Sequence, residues 1–309
     1  MNPFSNLPPE IVFHILSQLD RKNAFKLKSV CKRWNSLLTS NADLFPKIPS
    51  PVLEITKKNS IKIGTKIVFR ETSVPKTRKR RIHQISTSKE ASKCPSPSFF
   101  SYLSQCLDNY SIQTVSLNEV SLDSLYLKKL SQAFHGHSMH SLELDYVNFA
   151  RVQAADFYGF MKAANCGRLS LNWLRNTADD LLNAEFFANV VGRIRSLQIG
   201  YVNYANSSRV FTVGEDVMER IIRTPKFEFD VAVDRDNQGI IKDTFEVLDR
   251  LPNSDLQFSS INFSGPETDF PRFHRPKSCR SKVKVCCEHR RSHFDVRHKR
   301  YRLVPNKEF

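Results

Sequence analysis

The sequence predicts an α+β protein in which three short N-terminal helices precede an irregular α/β solenoid of strand–helix repeats. Apolar residues recur at helical spacing between residues 7 and 39. From residue 115 onward, pairs of apolar residues at alternate positions recur every 27–30 residues, with helical patterns between them. The predicted parts are a helical module (1–50), a β-meander (51–73), a basic linker or loop (74–98) and the repeat region (99–309), which ends in a basic hairpin.

The first helix is predicted over residues 7–19. Pro8 and Pro9 suit a first helical turn, whose N–H groups have no partner inside the helix. Ile11, Ile15 and Leu19 follow at a spacing of four residues, which marks one apolar face. Residues 24–30 and 31–39 predict two more helices. Three helices in so short a segment enclose little core, and modules of this size usually need a partner or oligomerisation.

The same segment carries residues in a characteristic order, with Leu-Pro near its start and Cys-x-x-Trp near its end. The matching positions are Phe4, Leu7, Pro8, Glu10, Ile11, Ile15, Leu16, Leu19, Leu27, Val30, Cys31, Trp34 and Leu37. By this order and spacing the segment resembles the F-box family. The alternative is an unrelated three-helix bundle whose apolar residues face only their own core; periodicity fits it, but the motif order does not.

The resemblance implies that the chain binds a Skp-type adaptor, which joins F-box proteins to the cullin scaffold of SCF-type ubiquitin ligases. It also implies that the rest of the chain recognises a target protein, whose identity the sequence does not give. Carried over residue by residue, it places the adaptor interface or its support at Leu7, Pro8, Ile11, Ile15, Leu16, Val30, Cys31 and Trp34.

Two different segments follow the helical module. Residues 51–73 alternate apolar and polar side chains, as in Leu53 and Ile55, which predicts the β-meander. Residues 74–98 lose this periodicity and gain Pro, Ser, Lys and Arg, which predicts the linker or loop. Within it, the run from Lys76 to Arg81 is either a nuclear-import signal or a solvated loop, and both interpretations stay open.

The repeats are defined by seven pairs of apolar residues. They are Val115/Leu117, Leu142/Leu144, Leu169/Leu171, Leu197/Ile199, Phe227/Phe229, Leu256/Phe258 and Val283/Val285. A strand and a helix at this period resemble a leucine-rich-repeat solenoid, although the Asn or Cys ladder position of that family is apolar here. The alternative is an α/β domain with coincidental spacing. An F-box followed by such a body resembles the expanded nematode set of F-box proteins.

The repeat pattern also predicts a target-binding face. Residues between the two members of each pair, and those just after it, would face the concave side of a solenoid, where partners bind. The candidates are Glu143, Asp145, Tyr146, Asn172, Trp173, Tyr201, Glu228 and Asp230. Acidic and amide groups around three aromatic rings suit a basic or amide-rich protein segment, and Tyr and Trp are frequent binding hot spots. The alternative is that the aromatic rings only cover the turns after the strands.

The charge distribution and the absence of catalytic motifs limit the classes of function that the sequence allows. The net charge of +16 divides into an acidic body, −7 over residues 94–271, and basic segments, +6 over 74–93 and +10 over 272–309. The basic segments make nucleic-acid association the alternative function, although no nucleic-acid-binding motif accompanies them. No Gly-rich phosphate loop, Gly-x-Ser-x-Gly or His-Glu-x-x-His motif occurs. We therefore expect a non-catalytic protein without a cofactor.

The cysteines and the apolar runs bear on compartment and metal binding. The seven cysteines are scattered and predict reduced thiols in the cytosol, the nucleus or both. The tail contains Cys279, Cys286, Cys287, His289, His293 and His298. Adjacent Cys286 and Cys287 would point to opposite faces of a strand, so we expect no zinc site. No apolar run approaches the roughly 18 residues of a membrane span, so we expect no membrane insertion.

Overall fold

The large sheet and the helices that cover it make up most of the residues that the structure describes. A computed structural model describes residues 7–19, 21–41, 47–57, 59–64, 66–70, 95–204, 213–233, 237–266, 282–291 and 297–306. Within these ranges the protein is mixed α/β, as predicted, with a group of N-terminal helices followed by a long sheet.

The N-terminal helices are α1 (Pro9–Ser17), α2 (Arg21–Lys26) and α3 (Lys32–Ser40), with a 3₁₀ turn at Leu27–Ser29. The Cys31 thiol caps α3 by accepting the backbone N–H of Trp34 at 3.5 Å. The Arg33 guanidinium donates to the Leu7 carbonyl at 2.6 Å, which ties the start of the module to α3. The buried core of this bundle consists of Val12, Leu16, Ala24, Trp34 and Leu38.

Eleven strands of the described chain form one sheet. In chain order, the fifteen described strands are β1 (Ile48–Thr56), β2 (Ser60–Ile63), β3 (Lys66–Arg70), β4 (Tyr110–Asn118), β5 (Ser121–Asp123), β6 (Met139–Asp145), β7 (Asn148–Arg151), β8 (Cys166–Asn172), β9 (Leu174–Thr177), β10 (Ser196–Ile199), β11 (Val202–Tyr204), β12 (Glu228–Ala232), β13 (Ser260–Pro266), β14 (Val283–Arg291) and β15 (Arg297–Pro305). The large sheet has the order β14-β15-β13-β12-β10-β8-β6-β4-β1-β2-β3, and β5, β7, β9 and β11 form a second, parallel sheet.

The predicted apolar pairs set the register of the parallel strands through β10. Val115 lies opposite Leu142, which lies opposite Leu169, which lies opposite Leu197. All four side chains are fully buried. The predicted β-meander extends the same sheet, because β1 pairs in parallel with β4 and Leu53 lies opposite Val115.

The predicted register is wrong for the last three pairs. Phe229 and Val231 lie opposite Leu197 and Ile199, and Ile261 and Phe263 continue this row. Phe227 is buried just before β12 and shares its alternation, so the pair Phe227/Phe229 lies two residues too early. Leu256 and Phe258 lie before β13 begins, so that pair is not part of the strand.

The seventh predicted pair belongs to a different element. Val283 and Val285 lie in β14, which pairs antiparallel with β15, and β15 pairs antiparallel with β13. These two strands therefore close the sheet as a hairpin and are not a repeat.

In the described chain, the connections between the parallel strands from β4 to β13 each contain one α-helix, and a further α-helix precedes β4. The helices are α4 (Pro97–Asn109), α5 (Ser124–Phe134), α6 (Ala154–Ala163), α7 (Ala184–Val190), α8 (Glu215–Arg223) and α9 (Gly239–Arg250). They pack in chain order, each against the next. Their apolar faces and the apolar face of the large sheet form one hydrophobic core, which is distinct from the core of the N-terminal helices. The opposite face of the large sheet is polar.

Candidate protein-interaction surfaces

Helix α1 leaves large apolar side chains in solvent. Val12 and Leu16 turn into the small core, which rotates the neighbouring Ile11 and Ile15 outward. Their exposed fractions are 48% and 41%, and Val30, which follows the 3₁₀ turn, is 48% exposed. The apolar stripe of α1 is thus wider than its own core requires, and its outer half has no covering in the described chain.

The structure divides the eight predicted adaptor residues into two groups. Pro8, Ile11, Ile15 and Val30 are exposed, so a partner can reach them. Leu16 and Trp34 are buried in the small core, and Leu7 and Cys31 pack partly against it. The second group supports the surface that the first group presents.

The polar face of the large sheet carries one aligned row of side chains across its strands. The row consists of Glu54, Ser116, Glu143, Ser170, Gln198, Asp230, Asn262 and Arg302. Ser170 and Gln198 are joined by a hydrogen bond of 3.4 Å, and the Asn172 amide donates to the Ser170 hydroxyl at 2.9 Å. The middle of the face is therefore a network of hydroxyls and amides.

The acidic residues of this face differ in how they are paired. Glu54 binds Lys62 at 2.8 Å, and Asp230 binds Arg300 at 3.2 Å. Within the described ranges, Glu143 and Asp145 are in no ion pair; Glu143 only accepts a hydrogen bond from the Ser141 hydroxyl, at 3.4 Å. Together with Glu228, which is also in no ion pair within these ranges, these two carboxylates remain open to an external cation.

Glu228 and Asp230 do not occupy the predicted positions. Because the register of β12 is shifted by two residues, Asp230 lies in the same row as Glu143, and Glu228 lies opposite Ser196. Burial raises the pKa of the Asp230 carboxyl, although the Arg300 guanidinium acts to lower it. Asp230 is thus part of a half-buried ion pair that joins the C-terminal hairpin to the sheet, and it is not available to a partner.

Three aromatic rings line up at the turns after β6, β8 and β10. Tyr146 and Trp173 are parallel, with ring centroids 5.8 Å apart, and Trp173 and Tyr201 are 4.4 Å apart. Tyr146 is 40% exposed and Trp173 is 47% exposed. The Arg175 guanidinium lies over the Tyr146 ring at 5.3 Å, a contact that the sequence pattern did not indicate. The structure therefore brings together the three predicted rings as one solvent-facing ladder.

The turns that carry two of these rings have a left-handed backbone. Tyr146 and Trp173 have φ angles of 55° and 51°, and Glu119, at the equivalent position one repeat earlier, has 54°. The backbone holds the conformation through hydrogen bonds between repeats, such as that from the Tyr146 N–H to the Asn172 carbonyl at 3.1 Å. Bulky residues are rare in this conformation because their Cβ crowds the backbone. Tyr146 and Trp173 therefore occupy positions where Gly or Asn would adopt the left-handed backbone at a lower conformational free energy.

Asn172 is fixed beside the ladder by its neighbours. Its side chain fills the space next to Gly200, where an added Cβ would lie 2.6 Å from the Asn172 Oδ1. The two preceding repeats have Asn172 and Asp145 at the position of Gly200. A glycine here therefore indicates from sequence that the neighbouring Asn172 side chain occupies the space of the missing one. Asn172 is thus a structural part of the face.

Another polar cleft lies near the start of β4, among the residues that the structure describes. It has a volume of about 270 Å³ and is lined by Lys47, Tyr110, His137 and their neighbours. His137 lies 3.5 Å from Asp108, and burial together with Lys47 lowers the pKa of its imidazole. This contact joins the end of α4 to the turn before β6, so His137 stabilises the fold at this point.

Several predictions concern residues outside the described ranges. The run from Lys76 to Arg81, Cys279 and His293 lie there, and the structure does not describe the side chains of His289 and His298. Among the residues that are described, no group of three or more His, Cys, Asp or Glu is placed to hold a metal ion. None of the described helices is long and apolar enough to span a membrane.

Comparison with known proteins identifies one domain. The family model described as F-box domain matches residues 4–45, which include α1, α2 and α3. No curated protein matches the chain.

Proposed function

We propose, with this F-box domain as the premise, that the chain is the substrate-recognition subunit of an SCF-type ubiquitin ligase. An F-box domain implies binding to a Skp-type adaptor, and F-box proteins are generally non-catalytic receptors. Through the adaptor the chain joins a cullin scaffold, and its large sheet binds the target protein. Such a subunit works by position, because it raises the effective concentration of the target near the catalytic centre of another protein.

The observation that carries the proposal is the exposed apolar surface of the F-box. Ile11 and Ile15 lie one turn apart on α1 and remain almost half exposed in the free chain. The bundle beneath them has only five buried apolar side chains among the described residues. Docking on an apolar adaptor surface would bury the exposed half of each isoleucine, which stabilises the complex by about 1 kcal/mol per residue.

We further infer that the body is an irregular leucine-rich-repeat-like solenoid. Three features support this inference: the strands from β4 to β10 follow one another in chain order, they pair in parallel, and each is followed by a short strand and a helix. The last repeats are longer, and the antiparallel hairpin closes the array where solenoids need a cap.

The adaptor interface is tested with the double variant Ile11→Ser/Ile15→Ser in the full chain. Losing about 2 kcal/mol in total should weaken adaptor binding roughly 30-fold in isothermal titration calorimetry. The matched control is His14→Ser/Gln18→Ser, which changes two exposed polar residues of the same helical region and should bind normally. A double isoleucine variant that keeps its helical circular dichroism and binds the adaptor with full affinity would refute docking through this surface.

The alternative function is nucleic-acid association through the basic segments. Two cations of the C-terminal basic segment, 272–309, give it little support, because they are bound within the protein. Arg300 is paired with Asp230, and the Lys282 ammonium donates to the carbonyls of Leu248, Asp249 and Leu251 at 2.7–3.1 Å. Both cations hold the C-terminal strands to the body, and their charge is already engaged. A nucleic-acid affinity that falls steeply with salt would favour the alternative.

A further inference from the structure

We propose that Glu143, Asp145 and the ring ladder of Tyr146, Trp173 and Tyr201 form a binding site for a basic segment of the target protein. An arginine or lysine side chain would lie with its aliphatic stem along the rings and its cationic head at the two carboxylates. The inference rests on the proposed function, because it assumes that the polar face of the sheet is the target-binding face.

The two carboxylates provide the charge. Glu143 and Asp145 are two positions apart on β6, so they project from the same face of the strand about 7 Å apart. They differ from Asp230, whose charge is matched by Arg300, and from Glu54, whose charge is matched by Lys62. An incoming cation is thus attracted to the two carboxylates of β6 more than to Asp230 or Glu54.

The rings provide the apolar part of the site. Asp145 precedes Tyr146 directly, so the ladder begins where the carboxylates end. The rings stack on one another, and Tyr146 and Trp173 still keep nearly half of their surface in solvent. The long stems of Arg and Lys pack on such surfaces while their charged heads stay in water or pair with a carboxylate. Within the chain, the Arg175 guanidinium lies over the Tyr146 ring at 5.3 Å, so the ladder already accepts one cationic group.

The backbone argues against a role in covering the turns. In the equivalent turn one repeat earlier, Glu119 has the same left-handed conformation without a ring, and it forms a 2.7 Å ion pair with Lys57. The turn therefore folds without an aromatic side chain. Tyr146 and Trp173 keep a large apolar surface exposed at positions where a bulky residue strains the backbone, and such outliers concentrate at binding sites.

The charge also selects the class of partner. Nucleic acid and acidic peptides would bring negative groups to Glu143 and Asp145, in a body whose net charge over residues 94–271 is −7. A basic peptide segment has the complementary charge, and it can follow the row of hydroxyls and amides that continues from Ser170 to Gln198.

The experiment selects peptides on the full chain bound to the Skp-type adaptor. A phage-displayed library of random dodecapeptides is the probe, and the affinity of a selected peptide is then measured by fluorescence anisotropy. We expect enrichment of peptides in which Arg or Lys neighbours an aliphatic residue. Glu143→Gln/Asp145→Asn should weaken the selected peptide about tenfold, and Trp173→Gly, which suits the left-handed turn, should weaken it similarly.

The control is Glu246→Gln/Asp249→Asn, which removes two exposed carboxylates from α9. It should bind the peptide normally. Enrichment of acidic peptides, no enrichment, or basic peptides that bind the Glu143/Asp145 variant with full affinity would each overturn the proposal. Peptide binding that appears only after residues 74–93 are deleted would also overturn it, because the chain's own basic segment would then be the occupant. Adaptor binding is measured separately on every variant, so failure of the F-box assignment is distinguished from failure of this site.

Discussion

Trp173 allows the backbone strain of the ladder to be separated from the packing of its ring. We predict that Trp173→Gly will be more stable than Trp173→Ala, by about 1 kcal/mol. The residue has φ 51°, a conformation that glycine adopts freely and that costs other residues about 1–2 kcal/mol. Both variants lose the same ring, so the difference between them reports the backbone alone.

The stability lost with the Trp173 ring follows from the fraction of the ring that is buried. Trp173 is 47% exposed, so removing the buried half costs about 1.5 kcal/mol. The partly solvated contacts with Tyr146 and Tyr201 add about 0.5 kcal/mol each. The alanine variant should therefore lose about 2.5 kcal/mol and the glycine variant about 1.5 kcal/mol, whereas truncating the fully buried Phe157 to alanine should cost about 3–5 kcal/mol.

The assay is urea-induced unfolding followed by far-UV circular dichroism. Tryptophan fluorescence is unsuitable, because Trp34 in the F-box is the only tryptophan left in either variant. Equal stability of the glycine and alanine variants would show that the turn is not strained. A loss as large as that of Phe157→Ala in both variants would show that the ring belongs to the core, and the turn-covering interpretation would then replace the binding interpretation.

Two further predictions concern the C-terminal strands. Lys282→Met should destabilise the body by about 1–3 kcal/mol in urea unfolding, because the three carbonyls at the end of α9 lose their donor. Lys284→Met, at an exposed position of β14 two residues later, should have little effect. Burial raises the pKa of Asp230 above its ordinary 3.8, so the native protein keeps this proton to higher pH than the unfolded chain does. Stability should therefore fall as pH rises from about 3.8 through the raised pKa, and Asp230→Asn should remove that part of the slope; an unchanged slope would contradict the assignment.

The strands were predictable where the repeat spacing is strict. From Val115 to Leu197 the interval is 27 or 28 residues, and each predicted pair is the buried pair of a parallel strand. From Leu197 to Phe229 and on to Ile261 it lengthens to 32 residues. Phe227 also precedes β12 and shares its alternation, so alternation alone selected the wrong pair there.

The candidate site was predictable only in part. The three rings and the carboxylates of β6 follow from their places in the repeat. The left-handed turns do not, because Tyr and Trp are residues that normally avoid this conformation. The pairing of Asp230 with Arg300 joins residues 70 positions apart, and the order of the last strands, which brings them together, has no local signal.

The separation of the two hydrophobic cores has a consequence for how the protein melts. Residues of the F-box and of the body bury their apolar surface in different clusters, so unfolding need not be a single cooperative event. A bound adaptor stabilises only the unit that contains its site, and by mass action it should raise the melting temperature of the bundle while that of the body stays the same. Each unit contains one of the two tryptophans, Trp34 or Trp173, so single-tryptophan variants would follow the two transitions separately.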